Sequence, residues 1–353
     1  CLGRTLPAGR CSMTGMATLE QIQRMPKLEL HIHLEGTFDP ETVCLLAEMQ
    51  GISLPRPRQH LFDFSGLSDF LDLLDWICSL VQNRETAQQI AYRHAKYAQE
   101  QGILYTEIIV NPSHWKNIRT GELLTGVLEG FDQAGADGLP DCRLLVSLRR
   151  EQDTASARRT IEWIFSHRHP RLVGVSVDGN EACSQDSNQR FAPLLARAAE
   201  AGLGIAVHAG ESSGPEGVQE ALELLGAKRI DHGVRAVEDL KLLERLLRER
   251  IPLNICYTSN VAGGLYTPGN HPLGELYSRG ISVTVNTDDP QLLRVSLSQE
   301  LQRVAEQYHW KIEELLKLQY YAVDAAFCTE ERRSELLSRL HQFEATCQNL
   351  TAF

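Results

Sequence analysis

Two histidines separated by a single residue, His31 and His33, stand in the run KLELHIHLE (27–35). In an extended segment side chains alternate faces with period two, so both imidazoles point the same way and can share one metal ion. The pair alone reads as readily as two ordinary polar strand residues. It gains weight from other polar residues that close short apolar runs. His208 stands at the close of GIAVHAGE (204–211), three residues before Glu211; His232 ends RIDH; Asp288 and Asp289 close SVTVNTDDP (282–290). Imidazole nitrogens with a carboxylate are the ligand types that zinc takes, leaving one position open to water.

These residues must be brought together by the elements that carry them. Eight short β-branched runs recur along the chain, at 27–35, 104–112, 142–150, 172–181, 204–211, 229–234, 252–260 and 282–290. Each has a strand-like core, and most are closed by Gly, Asn, Asp or Pro. Helix-like stretches lie between them. GVQEALELLGAKR (217–229) repeats apolar residues at helical spacing, and VEDLKLLERLLRER (237–250) runs from acidic to basic, which suits the helix dipole. Eight strand–helix alternations predict an α/β fold, a (β/α)8 TIM barrel whose carboxyl-terminal strand ends share one mouth. A mostly helical insertion over about 40–100, with Phe62, Phe64, Phe70 and Trp76, would lie over that mouth as a lid. A helical elaboration follows from about 298.

The remaining composition sets bounds. The 353 residues are 42% hydrophobic and 23% charged, an ordinary globular balance. The net charge of −11 argues against nucleic-acid partners, and the cluster Arg245, Arg248, Arg250 reads as a solvated helix face. Nine cysteines without a C-x-x-C pair read as reduced thiols in a cytoplasmic protein. No apolar stretch is long enough to span a membrane. Residues 1–18 are expected to be an N-terminal remnant or disordered segment, with Met13 or Met16 as candidate starts. A single domain would then occupy 19–353.

HIHLEG (31–36), HAGE (208–211), DHG (231–233), TSN (258–260) and NTDDP (286–290) resemble the adenosine deaminase family in order and separation. The resemblance runs from about Lys27 to the chain end. It implies a zinc-dependent hydrolase that removes the C6 amine of an adenine-type purine, one ion per subunit, held by His31, His33, His208 and Asp288. It implies that Glu211 protonates N1, that His232 orients and helps deprotonate the attacking water, and that Asp288 helps hold the new hydroxyl. Asp289 would meet N7, and the backbone N–H of Gly179 would meet N3. These roles fit elementary chemistry: zinc brings the pKa of water from near 16 to about 7. Attack at C6 places electron density on N1, which then needs an acid.

Two departures bear on the substrate. Glu35 stands where adenosine-specific members carry Asp against a ribose hydroxyl, and Asp231 precedes His232 where many carry Gly. The leading expectation is adenosine or 2′-deoxyadenosine, with FLDLLDW (70–76) resembling a lid segment whose Phe70 or Trp76 covers a sugar. Adenine, or a modified adenine nucleoside, is the alternative. A different metal-dependent hydrolase would carry a bridging lysine after the fourth run, where Asp178, Gly179 and Asn180 stand. A non-catalytic binding relative would be expected to lack a ligand or the acid. Thr258, Ser259 and Asn260 read equally as strand-end hydrogen bonders or substrate contacts.

Overall fold

A computed structural model of the protein describes residues 15–349. All eight runs form strands: β1 (Lys27–His33), β2 (Ile103–Val110), β3 (Asp141–Arg149), β4 (Leu172–Asp178), β5 (Gly204–Ala209), β6 (Arg229–His232), β7 (Leu253–Ile255) and β8 (Val283–Val285). They pair in parallel in chain order. The first five are six to nine residues long, the last three only three or four.

Because β7 and β8 are short, side chains complete the ring. Asn254 Nδ2 donates to Asp231, Thr284 Oγ1 to Asn254 Oδ1 and Asn286 Nδ2 to Thr284 Oγ1, at 2.7–2.9 Å. Asn286 Oδ1 then accepts the amides of Leu30 (2.8 Å) and His31 (3.1 Å). This buried girdle joins β6, β7, β8 and β1 where backbone pairing is thin. Closure is finished by a parallel bridge between Ile32 and Asp288, with the His33 amide donating to the Asp288 carbonyl at 2.9 Å. Deeper in the barrel, buried Arg229 pairs with buried Glu107 at 2.7 Å.

Between β1 and β2 lie three helices, Pro40–Gln50, Leu67–Ser79 and Arg84–Glu100. The last packs along the helix Thr120–Ala136, as a crossover helix does. Gly126 and Gly130 permit that approach, since a Cβ on either would sit 2.4 Å from a carbonyl of the facing helix. The helix Leu67–Ser79 instead packs on the short turns that end β1 and β2, across the mouth. Its buried stripe is Leu73, Leu74, Ile77 and Cys78. The two helical patterns become Pro215–Glu223 and Leu240–Glu249, the latter capped by Asp239, and three helices form the C-terminal part.

Of the N-terminal segment, residues 1–14 lie outside the described residues. Ala17 is buried and its amide donates to the Trp310 carbonyl, while Thr18 and Gln21 form a capping box on the helix Leu19–Arg24. Cys44, Cys78, Cys142, Cys183, Cys256, Cys328 and Cys347 are free thiols. Among the described residues no helix is long and apolar enough to cross a membrane. Arg245 and Arg248 make surface ion pairs with Glu223 and Glu249.

Candidate active site

The strand ends bring the expected residues into one cluster at the mouth. Ligand atoms of His31, His208, His232 and Asp288 all lie within 4.8 Å of one another. His33 joins them: its Nε2 is 3.2 Å from His208 Nε2 and 3.4 Å from Asp288 Oδ1. His31 Nε2 is 3.1 Å from the same Asp288 oxygen. Two backbone positions here are strained: His232 (φ 63°) and Asp288 (φ 65°) occupy the left-handed region. Each such residue costs about 1–3 kcal/mol and persists where surrounding structure over-determines it. For Asp288 that structure is the barrel closure, which ties its backbone to both flanks of His31–His33.

The donor set fits a zinc-type ion. Asp231, fully buried beneath the cluster, places Oδ1 3.1 Å from His31 Nδ1 and Oδ2 3.7 Å from His208 Nδ1. His208 Nδ1 also reaches the Val177 carbonyl at 3.1 Å. Protons held on the Nδ1 side leave each Nε2 lone pair facing the centre, the usual way proteins orient metal-binding imidazoles. Ser259 Oγ donates to Asp288 Oδ2 at 2.7 Å. Burial holds His33 down at about 3 and His208 well below its usual value, so both rings are neutral donors. For His31 burial is outweighed by Asp231 and Asp288, which push it up to about 10; without an ion its Nε2 carries a proton toward Asp288 Oδ1, which a bound cation would displace to use the lone pair. Against its own burial, Asp288 is held well below the carboxylate range by the His31 hydrogen bond and the histidine charges.

Glu211 stands beside this centre with 27% of its side chain exposed. Its Oε1 accepts from Asn260 Nδ2 at 3.3 Å and lies 3.5 Å from His232 Nδ1. Desolvation raises its pKa. Asp289 is buried, its Oδ1 has no hydrogen-bond partner, and burial with the adjacent Asp288 and Glu35 carboxyls pushes it well up. Gly36 makes room for it, because a Cβ there would lie 2.2 Å from Asp289 Oδ1. Glu35 is buried too; its Oε1 accepts from the Asn111 amide and Trp115 Nε1, both at 2.7 Å, and burial raises it to about 7. Gly179 follows β4 with φ 89°, where a Cβ would meet Glu151 Oε2 at 2.3 Å. Phe70 and Trp76 are half-buried on the helix Leu67–Ser79, Phe70 stacked edge-on to Phe64.

Several residues at the site lack a local sequence signal. Asp231 was visible only as a departure from a motif. Glu181 binds the turn that carries Glu211, and Asn111, His114 and Trp115 hold Glu35 and the lid. His114 Nδ1 meets Asp75 of the lid helix at 2.6 Å, and Lys116 Nζ meets the same carboxylate at 2.5 Å. The TSN segment divides: Ser259 and Asn260 serve the site, whereas Thr258 is bound through its amide and hydroxyl to Glu300.

The sequence profile of the adenosine deaminase family matches residues 26–343. The adenine deaminase of Rhodospirillum rubrum is 32% identical over 326 residues, covering 90% of this chain and 97% of its own. That of Sinorhizobium medicae is 33% identical over 321 residues, covering 90% and 98%. The solved adenine deaminase of Arthrobacter aurescens superposes with TM-score 0.85 at 28% identity, over 91% of this chain and 99% of that one. The Arabidopsis N6-mAMP deaminase gives TM-score 0.81 at 25% identity, over 92% and 99%. By this match and by its barrel, the chain belongs to the adenosine deaminase family of the amidohydrolase superfamily.

Proposed function

We propose that the protein is a zinc-dependent adenine deaminase, converting adenine and water to hypoxanthine and ammonia. The observation that carries deamination is the placement of two carboxyl groups held toward their protonated forms, Glu211 and Asp289, beside one His/Asp cluster. Two such donors match N1 and N7, the ring nitrogens that flank the C6 edge of a purine. His31, His33, His208 and Asp288 would hold the ion, which when bound supplies hydroxide at neutral pH. Glu211 gives its proton to N1 as the C6–O bond forms. His232, 3.9 Å from Asp288 Oδ2, takes the proton of the attacking water. That proton passes to the amine, the C6–N bond breaks and ammonia leaves, while the C6 hydroxyl returns its proton to the Glu211 carboxylate to give the carbonyl, and N1 keeps its hydrogen. Asp289 donates to N7 and the Gly179 amide to N3.

The relatives favour adenine, the alternative reading, over adenosine. Glu35 supports it: the longer carboxylate is buried and anchored at the mouth by Asn111 and Trp115. Free thiols accord with a cytoplasmic setting. Side-by-side absorbance assays on adenine, adenosine, 2′-deoxyadenosine and N6-methyl-AMP test the reading. Adenine should lead in kcat/KM by at least about 100-fold; a preference for adenosine or the nucleotide overturns it.

A further inference from the structure

Glu181 stands on the turn after β4, outside the metal-type cluster, with its side chain buried. Its carboxylate collects an unusual number of donors from one short segment. Oε2 accepts the Gly210 amide at 2.7 Å, and Oε1 accepts the amides of Glu211 (3.0 Å) and Ser212 (2.7 Å) and the Ser212 hydroxyl (3.2 Å). The Ser213 hydroxyl donates to Oε2. Three successive amides converging on one anion form a nest, a concavity built by a local turn. Gly210 supplies the left-handed residue that the turn needs (φ 67°). Nearby, the buried Arg150 guanidinium donates to the His208 carbonyl at 2.5 Å, and its charge also acts on Glu181.

The segment held in this way is the one that carries Glu211. It begins directly after β5, and Glu211 is the middle of the three bound amides. The carbonyls of Gly210 and Ser212 accept from the Arg235 amide (2.9 Å) and guanidinium (3.4 Å), while the three successive amides, that of Glu211 among them, go to Glu181. Its far end is set by Asn260, which also contacts His232 at 3.1 Å and His271 at 3.2 Å. Glu211 is therefore held at both ends: at its backbone from the β4 side, at its carboxyl from the β7 side.

We infer that Glu181 is a positioning residue for the reaction, fixing the Gly210–Ser213 turn so that Glu211 presents its carboxyl at the proton-transfer distance. This rests on Glu211 being the acid. A displacement of about 1 Å in a proton donor costs on the order of 100-fold in rate while leaving much of substrate binding intact. Such a residue therefore shows in kcat and not in KM or metal content.

The test compares four zinc-loaded variants with the parent on adenine: Glu181→Gln, Glu181→Asp, Ser213→Ala and Glu211→Gln. Zinc stoichiometry and Tm are measured on the same samples. Glu181→Gln, which turns an amide donor toward the nest, should lower kcat by about 10–100-fold with KM within about twofold and zinc retained. Glu181→Asp, shorter but still charged, should recover at least several-fold of that loss. Ser213→Ala removes one donor and leaves the carboxylate in place, so kcat should fall about twofold to fivefold. If Glu181→Gln does not fold, Ser213→Ala and Glu181→Asp decide the matter. A parent-like kcat in Glu181→Gln, no rescue by Asp, or a loss that tracks zinc or Tm overturns the positioning role. Retained turnover in Glu211→Gln would instead overturn the assignment of the acid, a separate result.

Discussion

Replacing Asp231 by Asn should weaken metal binding while leaving the barrel folded. Asp231 is fully buried, and its Oδ1 accepts from Asn254 Nδ2 at 2.8 Å as well as lying 3.1 Å from His31 Nδ1. An Asn carbonyl at that place can keep both contacts, so the substitution removes chiefly a charge. Without the carboxylate His31 is a less basic ligand. Outer-shell carboxylates of this kind are worth about 10–100-fold in metal affinity. His208 keeps its contact with the Val177 carbonyl at 3.1 Å and sits farther from Asp231, at 3.7 Å. The loss therefore falls mainly on His31, in the lower half of the range: about 10–30-fold, or about 1.4–2 kcal/mol. Competition of the metal-free protein against a chromophoric chelator reads this directly, with circular dichroism confirming the fold. An affinity within twofold of the parent would show that Asp231 merely balances charge inside the barrel.

Other perturbations reach different parts of the molecule. Gly36→Ala should cut kcat/KM on adenine by at least about tenfold, because the new Cβ meets the Asp289 backbone at 2.5 Å and must displace it; unchanged kinetics would remove Asp289 from the site. Trp115→Phe deletes the Nε1–H that holds Glu35 and should narrow the adenine-to-adenosine ratio in the paired assay. Glu300 is raised to about 7 by burial, against its bonds to Thr258. A carboxyl whose folded pKa exceeds its unfolded value stabilises the fold fully below about pH 4.5 and loses that contribution as pH rises through about 7. The stability of Glu300→Gln relative to the parent should therefore climb, by up to about 3 kcal/mol between pH 5 and 8 in urea titrations. A flat difference would show that Glu300 is ionised throughout.

Much of this protein was legible without a fold. His31 and His33 share a face by the period of a strand, and His208, His232 and Asp288 each close an apolar run, so a parallel barrel had to gather them. Glu211 could be placed near the cluster because three residues of a strand-end turn span only a few ångströms. The eight runs were readable because alternation and turn residues are local properties of the chain.

Residues whose role is a contact across the sequence were not legible in that way. Asp231 acts through β1 and β5, Glu181 through a turn 30 residues on, and Asn254, Thr284 and Asn286 form a girdle only once three short strands lie side by side. Each is a buried polar group whose partner no spacing rule specifies. The same limit applied at the mouth, where Glu35 was recognisable as a departure but its anchors, Asn111 and Trp115, lie about 80 residues away. Local chemistry determined which groups could serve as ligands and proton donors, because ligand type and strand period are written in a few adjacent residues. Tertiary structure alone decided how those atoms are aimed and charged, because burial and cross-strand hydrogen bonds exist only after the barrel closes.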